Sequence, residues 1–354
     1  MESVRTAASS KFYLDGFDHM RKYALTLTCT TCVFGAFGIF CRWIQGMSAF
    51  EENGLYKTGS VWGIILILMY IAAAATLIGF AVFFKKKLGL ASPPEYGLAT
   101  AGNRRWALII ALVMTLAMVG GSVMLLLTAD EEQFPDMLRV LALLGIFAAA
   151  GFMGLAASSG KPSPKGSALE AGLCLAAALP VAFCCFWLVV SYRQDAATSV
   201  VWKYAPEIIS LAVTLLAFYY VAGHAYGRPR PFAAIFFCEF GAFCCFVTLP
   251  DERLFALQIM FFATAVMQLY VGLLMTVNLR PAGEIDARFP GALEAEGLAE
   301  PEENAGESSE PELEDMGSDE GGEEKFVEVT EEYLGSDDSE NAENTAGEDA
   351  GQKK

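Results

Sequence analysis

Glu239 is the side chain whose type and setting most directly offer chemistry in this sequence. It stands about nine residues from either end of the apolar stretch 232–249. A helix rising ~1.5 Å per residue would therefore carry it to the middle of a bilayer. An ionised carboxylate at that depth costs about 3 kcal/mol or more, so intramembrane acids face a cavity or a partner and serve as proton carriers. Glu239 is expected to carry a proton or bind a solute. The plainer alternative is a structural Glu hydrogen-bonded to a neighbouring helix.

Helical spacing places it further. At about 100° per residue, Ala234, Cys238, Gly241 and Cys245 form a small-residue stripe suited to close packing. Glu239 lies roughly 110° from that stripe, among Phe232, Phe236, Phe243 and Phe246. Because a carboxylate avoids lipid, the aromatic side is expected to face protein or a pocket.

Neighbouring segments supply polar company. Gln268 and Thr264 share a face at spacing i, i+4, as do Ser210 and Thr214, with Glu207 one turn earlier. Pro180 removes a backbone hydrogen bond and frees the carbonyl of Ala176, a break tolerated where that group finds a partner or lines a cavity. The expected substrate- or proton-binding set is Glu239, Gln268, Thr264, Ser210, Thr214 and Pro180, around a polar cavity between the fifth and eighth helices. A simple kink is the competing account of Pro180.

Other chemistries find less support. The nine cysteines all lie in or beside apolar runs and include a C-x-x-C, Cys29 to Cys32, and the adjacent pairs Cys184-Cys185 and Cys244-Cys245. Apolar burial works against thiolate reactivity, so they read as small packing residues. Tetrahedral zinc needs four N or S ligands, and His19 and His224 are the sole histidines. The motifs H-E-x-x-H, G-x-S-x-G and G-x-x-x-x-G-K-[ST] are absent from the sequence. The expectation is a non-enzyme with no catalytic residue, metal or cofactor, and with no nucleic-acid partner.

The elements that must hold these residues follow from hydropathy. Of 354 residues 54% are apolar, and mean hydropathy is +0.41. About 20 apolar residues cross a bilayer as a helix. Eight segments qualify: 24–41, 61–84, 106–127, 138–157, 168–190, 207–225, 232–249 and 254–279. The expected fold is thus an all-α polytopic transmembrane bundle. The first segment is short and threonine-rich (Thr26, Thr28, Thr30, Thr31), and the seventh is short and holds Glu239. Charge settles the count. One alternate set of connections carries 15 Lys and Arg, including Lys85, Lys86, Lys87, Arg228 and Arg230, and the other carries 6. The excess of positive charge marks the cytosolic side, so the expectation is eight crossings with both termini inside, in the plasma (cytoplasmic) membrane. Residues 1–23 form a polar cytosolic segment ending in Asp18-His19-Met20-Arg21-Lys22, and the first apolar segment is expected to be retained.

Tyr56-Lys57 and Trp202-Lys203 lead into the second and sixth segments, and Thr128 to Glu131 resembles Thr248 to Glu252. These echoes suit a 4+4 parallel repeat, though biased composition produces the same. Ala150, Gly154 and Ser158, with Gly120-Gly121, offer close-packing faces within or between subunits. Arg42 and Trp43 read as interfacial anchors.

The formal charge of −17 belongs to another region. Residues 281–354 hold 25 Asp and Glu against 4 Lys and Arg, leaving the first 280 residues at +4. That composition predicts a disordered acidic tail. Within it Phe326, Val327, Val329, Tyr333 and Leu334 alternate with acids as a candidate partner motif. Two functions remain in competition: transport of a small solute or ion, proton-coupled through Glu239, or a membrane scaffold, sensor or assembly factor working through the tail. Lipids are the expected partners in either case, with a cytosolic protein on the tail in the second.

Overall fold

The structure, a computed structural model, describes residues 2–51, 55–57, 59–131, 134–161, 167–195 and 200–290; of 2–19 and 195 the backbone alone is described. The described residues all belong to one compact unit. The second unit, 303–354, lies outside the described residues, and so does the Phe326 to Leu334 motif.

The described chain is almost wholly helical. Its long helices are α1 (Glu2–Ser48), α2 (Trp62–Val82, prolonged by a π-turn Phe83–Lys87), α4 (Arg104–Thr128), α5 (Pro135–Ser158), α6 (Ala168–Asp195), α7 (Val201–Ala225), α8 (Pro231–Val247) and α9 (Phe255–Val277). Seven are long and apolar enough to cross a membrane, so this is a multi-pass integral membrane protein; α8, with 17 residues, is shorter. The apolar part of α1 runs over Met20–Ser48, longer than the expected 24–41. Helix α7 begins at Val201 rather than at 207, taking Pro206 into its second turn. Lipid is the solvent for much of this surface. Val33, Ile64, Leu68, Leu116, Leu127 and Leu175 are exposed, as a bilayer-facing surface requires.

Helices α4 to α9 pack in chain order as a ring that closes where α9 returns to α4. Side chains reaching across fill its middle: Phe152 stacks on Phe218 with ring centroids 5.6 Å apart, and Trp187 meets Phe261 at 4.3 Å. Glycines set the spacing. A Cβ on Gly154 would lie 2.6 Å from that of Ala176, and one on Gly121 would lie 2.8 Å from Met260. The small-residue faces at 121 and 154 therefore serve packing within the chain. Outside the ring, α1 lies along α8 and α9, and α2 leans on α1 and α8. Glu239 meets Thr28 and Phe246 meets Gly35, so α1 and α8 run parallel. Gly241 meets Gln268 and Cys238 meets Gly272, so α8 and α9 run antiparallel.

The connections between the described helices gather at two ends. At one end Gly97 O accepts from Gly160 N at 2.7 Å, and Asn278 donates to Ala101 O at 2.7 Å. Here β1 (Leu90–Ala91) pairs antiparallel with β2 (Arg280–Pro281), next to the short helices α3 (Tyr96–Ala99) and α10 (Ala282–Arg288). Composition placed residues 281–288 in a disordered tail. Instead Ile285 is buried against Ala91. Tyr96 is also buried, its hydroxyl donating to Leu155 O at 3.4 Å, and burial pushes its phenol up from the ordinary range. The short connections before α2, α7 and α9 meet at the other end, where Tyr56 stacks on Trp202 at 5.7 Å.

Candidate functional site

Pro231 opens α8, where its missing N–H is no loss and its φ is already helical. Thr248 caps the far end, its amide donating to Cys244 O at 3.3 Å, and Pro250 stops the helix. Glu239 falls eight residues from each end. The two sides expected from helical spacing are both turned toward protein. The small-residue side faces α7 and α9. On the aromatic side Phe243 meets Tyr70 at 5.2 Å and Phe34 at 6.3 Å, and Phe246 covers Gly35.

Glu239 itself is fully buried between α1, α8 and α9. Its Oε1 accepts the hydroxyl of Thr28 at 3.0 Å, and a Cβ on Gly272 would stand 3.2 Å from the same oxygen. Oε2 has no hydrogen-bond partner among the described residues, and no Lys or Arg there pairs with this carboxylate. The hydroxyl of Thr31, which donates to Leu27 O at 3.3 Å, also stands beside the carboxyl group, so the acid is met by neutral hydroxyls of α1.

The rest of the expected set divides. Ser210, Thr214 and Gln268 do come together, around Cys245. The Ser210 hydroxyl donates to Cys245 Sγ at 3.3 Å, Thr214 lies 3.2 Å from that sulfur, and Gln268 Nε2 donates to Thr214 Oγ1 at 3.2 Å. Gln268 Oε1 has no partner among the described residues and lies over Gly241. Thr264 stays apart, its hydroxyl donating to Met260 O of its own helix at 2.6 Å. Pro180 is elsewhere, at the α5–α6 contact: the carbonyl of Ala176 that it frees faces Gly151, where a Cβ would lie 2.7 Å away. The single polar cavity expected between the fifth and eighth helices is therefore replaced by two separate groups on different sides of α8, with Pro180 and Thr264 in neither.

A third group escaped the sequence reading. Arg42, expected as an interfacial anchor, is only 5% exposed. Its Nε pairs with Asp251 at 2.5 Å, and Nη1 donates to Gln45 Oε1 at 2.8 Å and Trp202 O at 2.9 Å. Pro206 has no N–H to offer the Trp202 carbonyl four residues earlier, and Arg42 takes that place. Asp251 also pairs with Arg253, which reaches Glu207 at 3.1 Å and lies 4.9 Å over the ring of Phe261. Ser191 completes the set by donating to Glu207 at 2.7 Å. The signal was present in the sequence as three charges at one end, Glu207 near the start of α7 and Asp251 and Arg253 in the short connection before α9. Trp43, 53% exposed, fits an anchor.

Among the described residues no three His, Cys, Asp or Glu side chains stand close enough to hold a metal. The cysteines are free; of the adjacent pairs, Cys184 is buried and Cys185 exposed, whereas Cys244 and Cys245 are both buried. His224 is buried with Nδ1 3.4 Å from Tyr220 O. Comparison with protein-family models, with curated proteins and with solved structures found no match to this chain.

Proposed function

We propose that this protein is a membrane carrier for a small solute or ion, coupled to protons through Glu239. The observation that carries the reading is the half-partnered carboxyl group at the seam between α1 and the ring. An uncompensated acid at that depth is costly to retain as a packing residue. A shift of α1 and α2 against α8 and α9 would open it, because the hydroxyls that meet it, Thr28 and Thr31, both stand on α1. Ser210, Thr214 and Gln268 form the neighbouring polar set, available to a solute on the other side of α8. Eight crossings with both termini in the cytosol, in the plasma membrane, fit the 15-to-6 division of Lys and Arg. This reading assigns no catalytic step and no cofactor.

The test uses the reactivity of membrane-buried carboxyl groups toward dicyclohexylcarbodiimide. In the full chain reconstituted in lipid vesicles, Glu239 should be labelled more in acid than in alkaline buffer. Glu239→Gln should remove both the label and proton uptake followed by an entrapped pH dye. A carboxyl that never reacts, or uptake unchanged in Glu239→Gln, overturns the assignment.

A second reading rests on the −21 net charge of residues 281–354 and the motif around Phe326 to Leu334. A tail so charged is repelled by anionic headgroups and available to a basic cytosolic partner. Ending the chain after Pro290 separates the two. A carrier keeps proton uptake after that cut; a scaffold loses its cellular phenotype while Glu239→Gln leaves it intact.

A further inference from the structure

A second feature lies away from Glu239, on the outer surface of the ring between α6 and α7. There a groove of about 690 Å³ runs from the loop after α7 into the membrane-spanning part of both helices. At its mouth stand Arg228 and Arg230, both exposed. Neither makes an ion pair with any carboxylate among the described residues. Its floor is apolar: Ala178, Val181 and Ala182 lie roughly 15–21 Å along α6 from its start at about 1.5 Å per residue. Between mouth and floor stands Tyr219, roughly 9 Å from the end of α7 by the same rise. It is 59% exposed on a surface that faces lipid. A tyrosine there offers an apolar ring to a chain and a hydroxyl to an ester or glycerol oxygen.

The layout is amphipathic in one direction. Two guanidinium groups with no ion-pair partner among the described residues stand beyond the end of the apolar span, a tyrosine hydroxyl lies further in, and small side chains leave a slot beyond that. Arginine forks match phosphate oxygens and hold them in pairs of hydrogen bonds. The mouth also belongs to the end that carries Lys85, Lys86, Lys87, Arg104 and Arg105, where positive charge draws anionic lipid. We propose that this groove is a binding site for one anionic phospholipid, its phosphate between Arg228 and Arg230 and one acyl chain along Ala178, Val181 and Ala182. The site is independent of the carrier reading, since it needs only a membrane around the ring.

The experiment takes the full chain in detergent micelles and counts bound lipid by native mass spectrometry. The probes are dioleoylphosphatidylglycerol, dioleoylphosphatidylcholine and glycerol 3-phosphate. One phosphatidylglycerol should be retained, preferred over phosphatidylcholine by about thirtyfold, the scale expected for two interfacial arginines. The pair Arg228→Gln and Arg230→Gln should erase that preference. Ala182→Phe should fill the floor and release the lipid with both arginines in place. Lys85→Gln with Lys86→Gln, at the same end but outside the groove, should leave binding unchanged. Equal retention of the two lipids, unchanged binding in the groove variants, or loss in the lysine variant would each overturn the site. Displacement by glycerol 3-phosphate alone would overturn it too, as the mark of a free-phosphate site.

Discussion

Helix α8 has two protein-facing sides, and they are built in opposite ways. Toward α7 and α9 it presents small residues, and a connected polar set of Ser210, Thr214, Cys245 and Gln268 sits among them. Toward α1 and α2 it presents phenylalanines lying over glycines, fastened by polar contacts at two heights: Thr28 on Glu239 and Arg42 on Asp251. The first side has many weak links distributed along a close interface. The second has few links, one of them half-made. A seam held by few polar contacts can part without breaking the core, which is why the α1 side is the better place for motion.

The comparison is sharpest at Arg42. Removing one partner of a buried ion pair leaves the other uncompensated, so Arg42→Ala should cost about 3–5 kcal/mol of stability. Thermal unfolding in micelles measures it, and a loss below that of an exposed pair would break the picture of a fastened seam. Next is Gly241→Val, which drives a side chain into Gln268 and should cost about 1–3 kcal/mol by overpacking. It should leave carbodiimide labelling of Glu239 in place, because it loads the other side of α8. Labelling abolished by Gly241→Val would mean the two sides are not separable. Thr28→Val removes the hydroxyl that donates to Glu239 Oε1 and should cost about 0.5–1.5 kcal/mol. It should also speed labelling, whereas Ser210→Ala, which gives up only a contact to sulfur, should change neither measurably. Smallest is Arg139→Ala. Arg139 pairs with Asp130 and Asp136 at the same end as Arg42, but all three side chains are well exposed, so the expected loss is at most about 1 kcal/mol.

Much of this was legible in the sequence because lipid is a simple solvent. Apolar length marks helices there whatever they pack against, so the long spans appear at nearly their observed places. The segment holding Glu239 was harder, being short and charged, but charge alternation across its flanking loops required a helix between them. Helical spacing also gave the two sides of α8. It could not say which helix each side would meet. Thr28 stands 211 positions before Glu239 and Arg42 stands 209 before Asp251. Contacts of that kind have no local signature. Thr264 shows the opposite failure: it shares a face with Gln268, yet its hydroxyl spends itself on its own helix. Pro180 and Pro206 make a related pair. Both free a carbonyl, but the one at Ala176 is met by a glycine and the one at Trp202 by an arginine. No feature of either proline announces which.

The shortness of α8 has an electrical consequence. Seventeen residues span about 25 Å, less than the ~30 Å hydrocarbon thickness of a typical bilayer. Shielded from lipid by its neighbours, α8 need not match the bilayer, and its two ends stand closer together than those of the longer helices beside it. On the carrier reading, a membrane voltage would fall along this helix with Glu239 at its middle. A proton arriving at Glu239 from one side has crossed about half the potential, worth about 1 kcal/mol for each 100 mV. Occupancy of this carboxyl group would thereby report voltage as well as acidity.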